Sequence, residues 1–384
     1  MRTTSLVKVM AFAATTLLTL ANGAARAACA PNSIDVSMTN GARWELCWVA
    51  DPKKGLVLNQ ITLTPTSGGP RTLILEQASL AQVLVAYDNG MSNQYHVSDA
   101  GLPLTPLSTT DCPGGTLLAD GSGNPLLCRM KVPRGYAWRG TGQIQGESLI
   151  IFGVSAAGGD TYIQQWIFDD AGTIHPMLGV SGQLDPSRDS TADTGWPISA
   201  PVRYATNRFH TAYWRLDFSL GGPTNDLFQQ LNYTADNTGY VINQTITDIT
   251  SEGKFTISPE AKRFWVVKDK VISNASNGQK ISFQIVPEHT SVHRGSDAFT
   301  GFDIYVTQNK ACEQFASYNP TGGGCGADLT QFITPAEALS DPVIWVGTTW
   351  HQVPRAEDES DVQTHWQGVI LAPRDLTATS PFNN

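Results

Sequence analysis

With 384 residues and 41% hydrophobic content, the chain can fill one large core and is too apolar to be a disordered polypeptide. A net charge of −9 with no cluster of Lys and Arg argues against nucleic acid as a partner, and an acidic surface favours cationic ligands. No segment is apolar for long enough to span a bilayer.

Residues 1–27 read as a secretory signal. Arg2 and Lys8 make a positive start, residues 9–20 an apolar run, and Ala25-Arg26-Ala27 a small-x-small cleavage site. Export to periplasm or medium follows as an expectation, so the six cysteines read as disulfides. Their spacing favours Cys29–Cys47, Cys112–Cys128 and Cys312–Cys325, although sequence alone leaves the pairing open.

From residue 28 onward no helical periodicity persists. Short alternating runs rich in β-branched and aromatic residues recur at 44–49, 56–64, 149–154, 212–220, 240–247, 264–267, 281–286, 304–306, 343–346 and 368–371. Gly, Pro, Asn and Asp punctuate them, which predicts an all-β fold, a large antiparallel β-sandwich. Residues 80–86 and 336–339 read as the short helices. No repeat or linker divides the mature chain, so 28–384 is expected to be one domain. Within it, 158–174 reads as a hairpin: Tyr162, Gln164, Trp166 and Phe168 alternate with Ile163, Gln165 and Ile167 before an Asp169-Asp170-Ala171-Gly172 turn.

Several segments resemble one family in collinear order. They are Gly55-Leu56-Val57-Leu58, Ala78-Ser79-Leu80-Ala81-Gln82, Val85-Ala86-Tyr87-Asp88, Asp111-Cys112-Pro113-Gly114 with Cys128, and Arg215-Leu216-Asp217. Ile304-Tyr305-Val306-Thr307, Asp341-Pro342-Val343-Ile344-Trp345, Val353-Pro354-Arg355-Ala356-Glu357-Asp358 and Leu371-Ala372-Pro373-Arg374 complete the set. Together they resemble the catalytic domain of copper-containing primary amine oxidases, without that family's smaller N-terminal domains. The resemblance implies oxidation of a primary amine to an aldehyde with release of ammonia and hydrogen peroxide. It also implies a homodimer, a topaquinone made from a hairpin tyrosine, a carboxylate that takes the substrate proton, and a copper ion held by three histidines, imidazole being a good copper ligand.

Residue by residue, the resemblance puts Asp99 at the proton-abstracting carboxylate and Tyr87 at the substrate-channel tyrosine. Aligning Tyr162 and Trp166 with the family hairpin puts Asp160 at the quinone position, with Gly159 and Thr161 beside it. An aspartate cannot become a quinone, and Tyr162 stands about 7 Å along the strand from that position. Of the metal ligands, the resemblance keeps His210; Arg208 and Gln352 stand at the other two, with His351 one residue early. Arginine is a permanent cation with no lone pair to offer copper. Asp217, Ser219 and Asp341 resemble a buried calcium site, Ser219 replacing a carboxylate. His289 and His293 lie in a Ser/Thr/Gly-rich loop after Pro287, which speaks against a zinc site, and Thr321-Gly322-Gly323-Gly324 is a flexible spacer.

These residues predict a family member that has lost quinone chemistry. Asp99 and Asp160 would face one acidic pocket that binds a small cationic or amine ligand or runs redox-free acid–base chemistry. Asp160 and Arg208 are alternatively expected to form a salt bridge across the former cofactor and metal space. The opposing expectation is a working copper-dependent oxidase with a shifted quinone or ligand set.

Overall fold

The computed structural model of the protein describes residues 29, 32–66, 70–140, 142–199, 201–288, 296–377 and 379–382. The expected signal 1–27, His289 and His293 lie outside them. Four antiparallel strands open the first sheet: β1 (Ser33–Ser37), β2 (Arg43–Asp51), β3 (Gly55–Thr64) and β4 (Thr72–Tyr87), with β5 (Gln94–Tyr95) folded back on β4. A five-stranded meander then runs through the second sheet: β6 (Thr116–Ala119), β7 (Pro125–Arg139), β8 (Gln143–Ala157), β9 (Asp160–Asp169) and β10 (Ile174–Gly182). After a small ribbon, β11 (Gly195–Ser199) and β12 (Arg203–Thr206), β13 (Arg208–Phe218) enters the first sheet beside β4.

From there the chain alternates between sheets. β14 (Asp226–Ala235) and β15 (Ile242–Ile249) edge the second, and β16 (Gly253–Phe255) edges the first. β17 (Phe264–Ser273) and β18 (Lys280–Pro287) return to the second. β19 (Ile304–Gln308) and β20 (Pro342–Gln352) complete the first, and β21 (Val362–Arg374) closes the second between β18 and β10. Every pairing is antiparallel, which makes the predicted sandwich the observed one.

The two sheets bury their facing sides against each other. Trp166 of β9 and Trp214 of β13 meet edge to face across the gap with ring centroids 5.5 Å apart. Along β9 alternate residues point inward, so Asp160, Tyr162, Gln164, Trp166 and Phe168 all lie on the buried face. That periodicity carries a carboxylate into the core side of the sandwich along with the aromatics. β13 is buried along its whole length because β4 and β20 flank it and the second sheet covers it. The described residues from 32 onward make up one compact unit.

Two of the expected disulfides are present, Cys112–Cys128 and Cys312–Cys325, and neither Cys29 nor Cys47 is a free thiol. The two expected helices are not helical. Residues 80–86 belong to β4, whose run of buried apolar side chains loses strand alternation because both its faces are covered, Leu80, Val83 and Val85 lying in one apolar cluster and Ala81 and Leu84 in another. Residues 336–339 form a turn and an isolated bridge from Ala338 to Ser251. The one α-helix among the described residues is the single turn Leu329–Phe332, started by the Asp328 side chain accepting from the amides of Thr330 and Gln331. No described helix is long and apolar enough to cross a membrane.

Candidate functional site

Register brings three strand ends together. Arg208, the first residue of β13, is paired on one side with Tyr87, the last of β4, and on the other with Gln352, the last of β20. Asp160 starts β9 in the opposite sheet, after the tight Gly158-Gly159 turn, where both residues have positive φ (61° and 88°) that side chains other than glycine rarely adopt. A Cβ on Gly158 would come within 2.9 Å of the His96 ring, so the turn is also sterically closed.

Arg208 reaches across this end of the sandwich to Asp160. Its Nη1 and Nη2 donate to Asp160 Oδ2 at 3.0 Å and Oδ1 at 2.9 Å, a two-pronged pair buried from solvent. Its Nε donates to Gln352 Oε1 at 2.8 Å. Guanidinium groups only donate, so the amide oxygen of Gln352 is the atom facing Arg208. His210 Nε2 lies 3.3 Å from the same oxygen and is therefore its protonated nitrogen. Nδ1 of His210 has no hydrogen-bond partner among the described residues.

Electrostatics follow from burial. Desolvation, reinforced by Arg208, holds the His210 imidazole well below its ordinary range, so the ring is neutral. Desolvation pushes the Asp160 carboxyl up, against the pull of Arg208 and the hydrogen bond from Tyr162. Tyr162 donates to Asp160 Oδ2 at 3.4 Å, and burial drives its phenol well above the ordinary value. Asp160, Arg208 and Gln352 hold one another internally, while Nδ1 of His210 is left without a partner among the described residues. Arg208, Asp160, Gln352 and His210 form a buried network with no solvent-facing acid or base.

The structure separates Asp99 from that network. His96–Ala100 is one π-helical turn whose His96 and Val97 are buried and whose Asp99 points outward, exposed. The backbone carbonyl of Asp99 accepts from Lys53 Nζ. Gln82, fully buried on β4, clamps the turn: its Nε2 donates to Ser98 Oγ at 2.6 Å and its Oε1 accepts from Val97 N at 3.1 Å. Asp99 lines an open cleft of about 460 Å³ with Asn93, Tyr95, His96 and Gly158. Asp160 is not on its wall, so the expectation that Asp99 and Asp160 share one acidic pocket is corrected: inward alternation on β9 buries the second, while the turn exposes the first.

Tyr87 stands between the two regions. Its hydroxyl donates to Gln94 Oε1 at 2.9 Å, the Arg188 guanidinium lies 4.4 Å from its ring centroid, and Gln94 also borders the Asp99 cleft. His96 was not legible as a site residue, yet it packs against Tyr162 with ring centroids 5.4 Å apart. Burial, then Arg208, lowers its pKa to about 4. His365 likewise stacks on Trp350 and lies edge-on to His210, a placement for which the sequence carries no signal.

These groups do not fit a resident copper ion or a quinone. Two imidazoles, His210 and the edge-on His365, with one amide oxygen already holding two donors and a fixed guanidinium, do not make the three-histidine sphere that the family resemblance implies for copper. No cluster of three His, Cys, Asp or Glu suited to a metal occurs among the described residues. His351 does not make up the deficit, because its ring stacks on Phe209 and its Nε2 faces Asp88 at 3.3 Å. Of the residues with a calcium-site resemblance, Asp217 and Asp341 each have one oxygen taken by Asn309, while Ser219 Oγ and Asp341 Oδ1 have no hydrogen-bond partner among the described residues. Asn309 Nδ2 donates to Asp217 at 3.2 Å and to Asp341 at 3.0 Å, and Arg215 contacts both Asp217 and Asn309.

The architecture is that of the enzyme domain of copper amine oxidases. A copper-containing benzylamine oxidase from Hansenula polymorpha superposes with a TM-score of 0.76 at 16% identity, over 90% of this chain and 62% of that one. The family model for the copper amine oxidase enzyme domain matches residues 134–383, and the chain belongs to that family. Primary amine oxidase 2 of Arabidopsis thaliana is 23% identical over 91% of this chain and 58% of its own length. Primary amine oxidase of Klebsiella aerogenes is 24% identical over 61% of this chain and 35% of its own. The chain thus spans little more than half of the first relative and about a third of the second.

Proposed function

We propose that this protein is an exported amine oxidase-like protein that does not perform quinone-dependent oxidation and instead binds a small cationic or amine ligand at Asp99. The observation that carries the reading is the buried two-pronged pair between Arg208 and Asp160. By the family resemblance, those residues stand at a copper ligand and at the quinone precursor. A carboxylate has no ring to oxidise, and the guanidinium brings its own positive charge to the place of a metal ion.

Asp99 supports the binding half of the proposal. It is the carboxylate on the wall of the open cleft, and neutral His96 and Tyr95 beside it provide a surface on which an amine's carbon skeleton can lie. Redox-free proton transfer by Asp99 on a bound ligand remains within the same reading, with Tyr87 and Gln94 positioned alongside. The leader-like 1–27 and the oxidised cysteines support export. The β14–β15 hairpin, with Tyr240, Ile242 and Ile246 exposed, supports a homodimer.

The purified protein, supplied with copper, is assayed for bound metal, for quinone absorbance and for peroxide release from simple primary amines. All three are expected to be negative, while calorimetric titration with alkyl- and arylalkylamines shows binding that Asp99→Asn weakens about tenfold or more. Stoichiometric copper with quinone colour and peroxide release would overturn the loss of oxidation; amine binding indifferent to Asp99→Asn would overturn the ligand site.

A further inference from the structure

Asp226, the first residue of β14, and Asp269 of β17 stand directly opposite each other in register. They are 2% and 1% exposed. Directly opposed side chains on antiparallel strands have Cβ atoms about 5 Å apart, and like charges placed so repel. Each carboxylate has one oxygen fixed by backbone amides. Asp226 Oδ2 accepts from Leu220 N at 3.2 Å, and Asp269 Oδ1 accepts from Val271 N and, at 3.0 Å, from Ile272 N.

The other two oxygens, Asp226 Oδ1 and Asp269 Oδ2, have no hydrogen-bond partner among the described residues. Both side chains lie at the Leu220-Gly221 turn. Asp226 is bonded to Leu220, and Asp269 Oδ2 lies so close to Gly221 that any Cβ there would collide with it; Gly221 has φ of 68°. Two buried carboxylates in this relation persist only by sharing a proton or a cation. Asp341 adds further negative potential at Asp226.

We infer that Asp226 and Asp269 form a site for a hard divalent cation, calcium by preference, held between the two unpartnered carboxylate oxygens at the Leu220-Gly221 turn. Calcium accepts irregular oxygen shells completed by carbonyls and water, whereas magnesium demands a near-ideal octahedron. The site is separate from Asp217 and Asp341, where the Asn309 amide already lies between the carboxylates.

Full-length protein stripped with EDTA is followed by thermal unfolding and by calorimetric titration with calcium chloride. Saturating calcium is expected to raise Tm by roughly 4 °C, with a single binding event per chain. Asp269→Asn should keep the wild-type circular dichroism spectrum and lose the calcium response, and Asp217→Asn should retain it. A response that survives Asp269→Asn overturns the inference. So does a wild-type protein indifferent to calcium whose infrared spectrum contains a carboxylic-acid carbonyl band that Asp226→Asn removes, since the pair then shares a proton. If Asp269→Asn fails to fold, the wild-type titration decides by itself.

Discussion

At the scale of single residues, the Arg208–Asp160 pair behaves asymmetrically under mutation. Removing Arg208 leaves a carboxylate buried without a counterion, whereas removing both charges leaves an apolar gap that can pack. Arg208→Met is therefore expected to cost about 3–5 kcal/mol, and Arg208→Met combined with Asp160→Leu to recover most of that loss, as read by urea unfolding. Equal destabilisation by the single and the double variant would show that the pair contributes nothing specific. His96 supplies a pH signature. Burial and the neighbouring Arg208 hold it at about 4 against an ordinary 6.5, so between those values only the unfolded chain takes up the proton. The contribution of neutral His96 is complete above pH 6.5 and is lost as pH falls toward 4, at up to about 1.4 kcal/mol per unit. Comparing wild type with His96→Phe across that window isolates the effect, because the variant should lack this acid-side loss.

At the scale of elements, about half of the strands were legible because the relevant signal is local. Trp44, Trp166 and Phe283 fall on alternating positions that bury one face, and turns such as Asp169 to Gly172 announce themselves by residue type. The Asp169 carboxylate accepts from Ala171 N and Thr173 N, as an aspartate opening a turn does. β4 was misread over 80–86 because a strand covered on both faces has no alternation, and a short apolar run does not distinguish helix from strand. The β14–β15 hairpin carries its own prediction. Nearly every side chain of β15 is exposed, including Ile242 and Ile246. On the proposed homodimer, Ile246→Glu together with Tyr240→Ser is expected to lower the mass in light scattering to that of a monomer while leaving the thermal unfolding of the isolated chain within about 0.5 kcal/mol. An unchanged mass would remove the hairpin from the interface.

At the scale of the whole molecule, stability is layered around β13. It is buried along its length and paired with β4 and β20, the situation in which amides are expected to open only with global unfolding. Hydrogen exchange is expected to be slowest in β13 and its two neighbours and fastest in β15, with Asp99's turn between them because the buried Gln82 ties it to β4. Exchange at Val97 as fast as in β15 would show that this clamp does not hold the cleft wall. The sequence by itself determined the fold class, about half of the strands and the chemical identity of Asp99, Asp160, Arg208 and His210, because periodicity and residue type are local properties. It also made a bridge between Asp160 and Arg208 foreseeable, since opposite charges at neighbouring positions of one family scaffold invite pairing. Only the tertiary structure decided that Gln352 serves both Arg208 and His210, that His96 packs under Tyr162, and that Asp99 faces a cleft from which Asp160 is absent. Those facts depend on the register of β4, β13 and β20 and on the way the second sheet lies over them, and contacts between residues more than a hundred positions apart leave no mark in the local pattern.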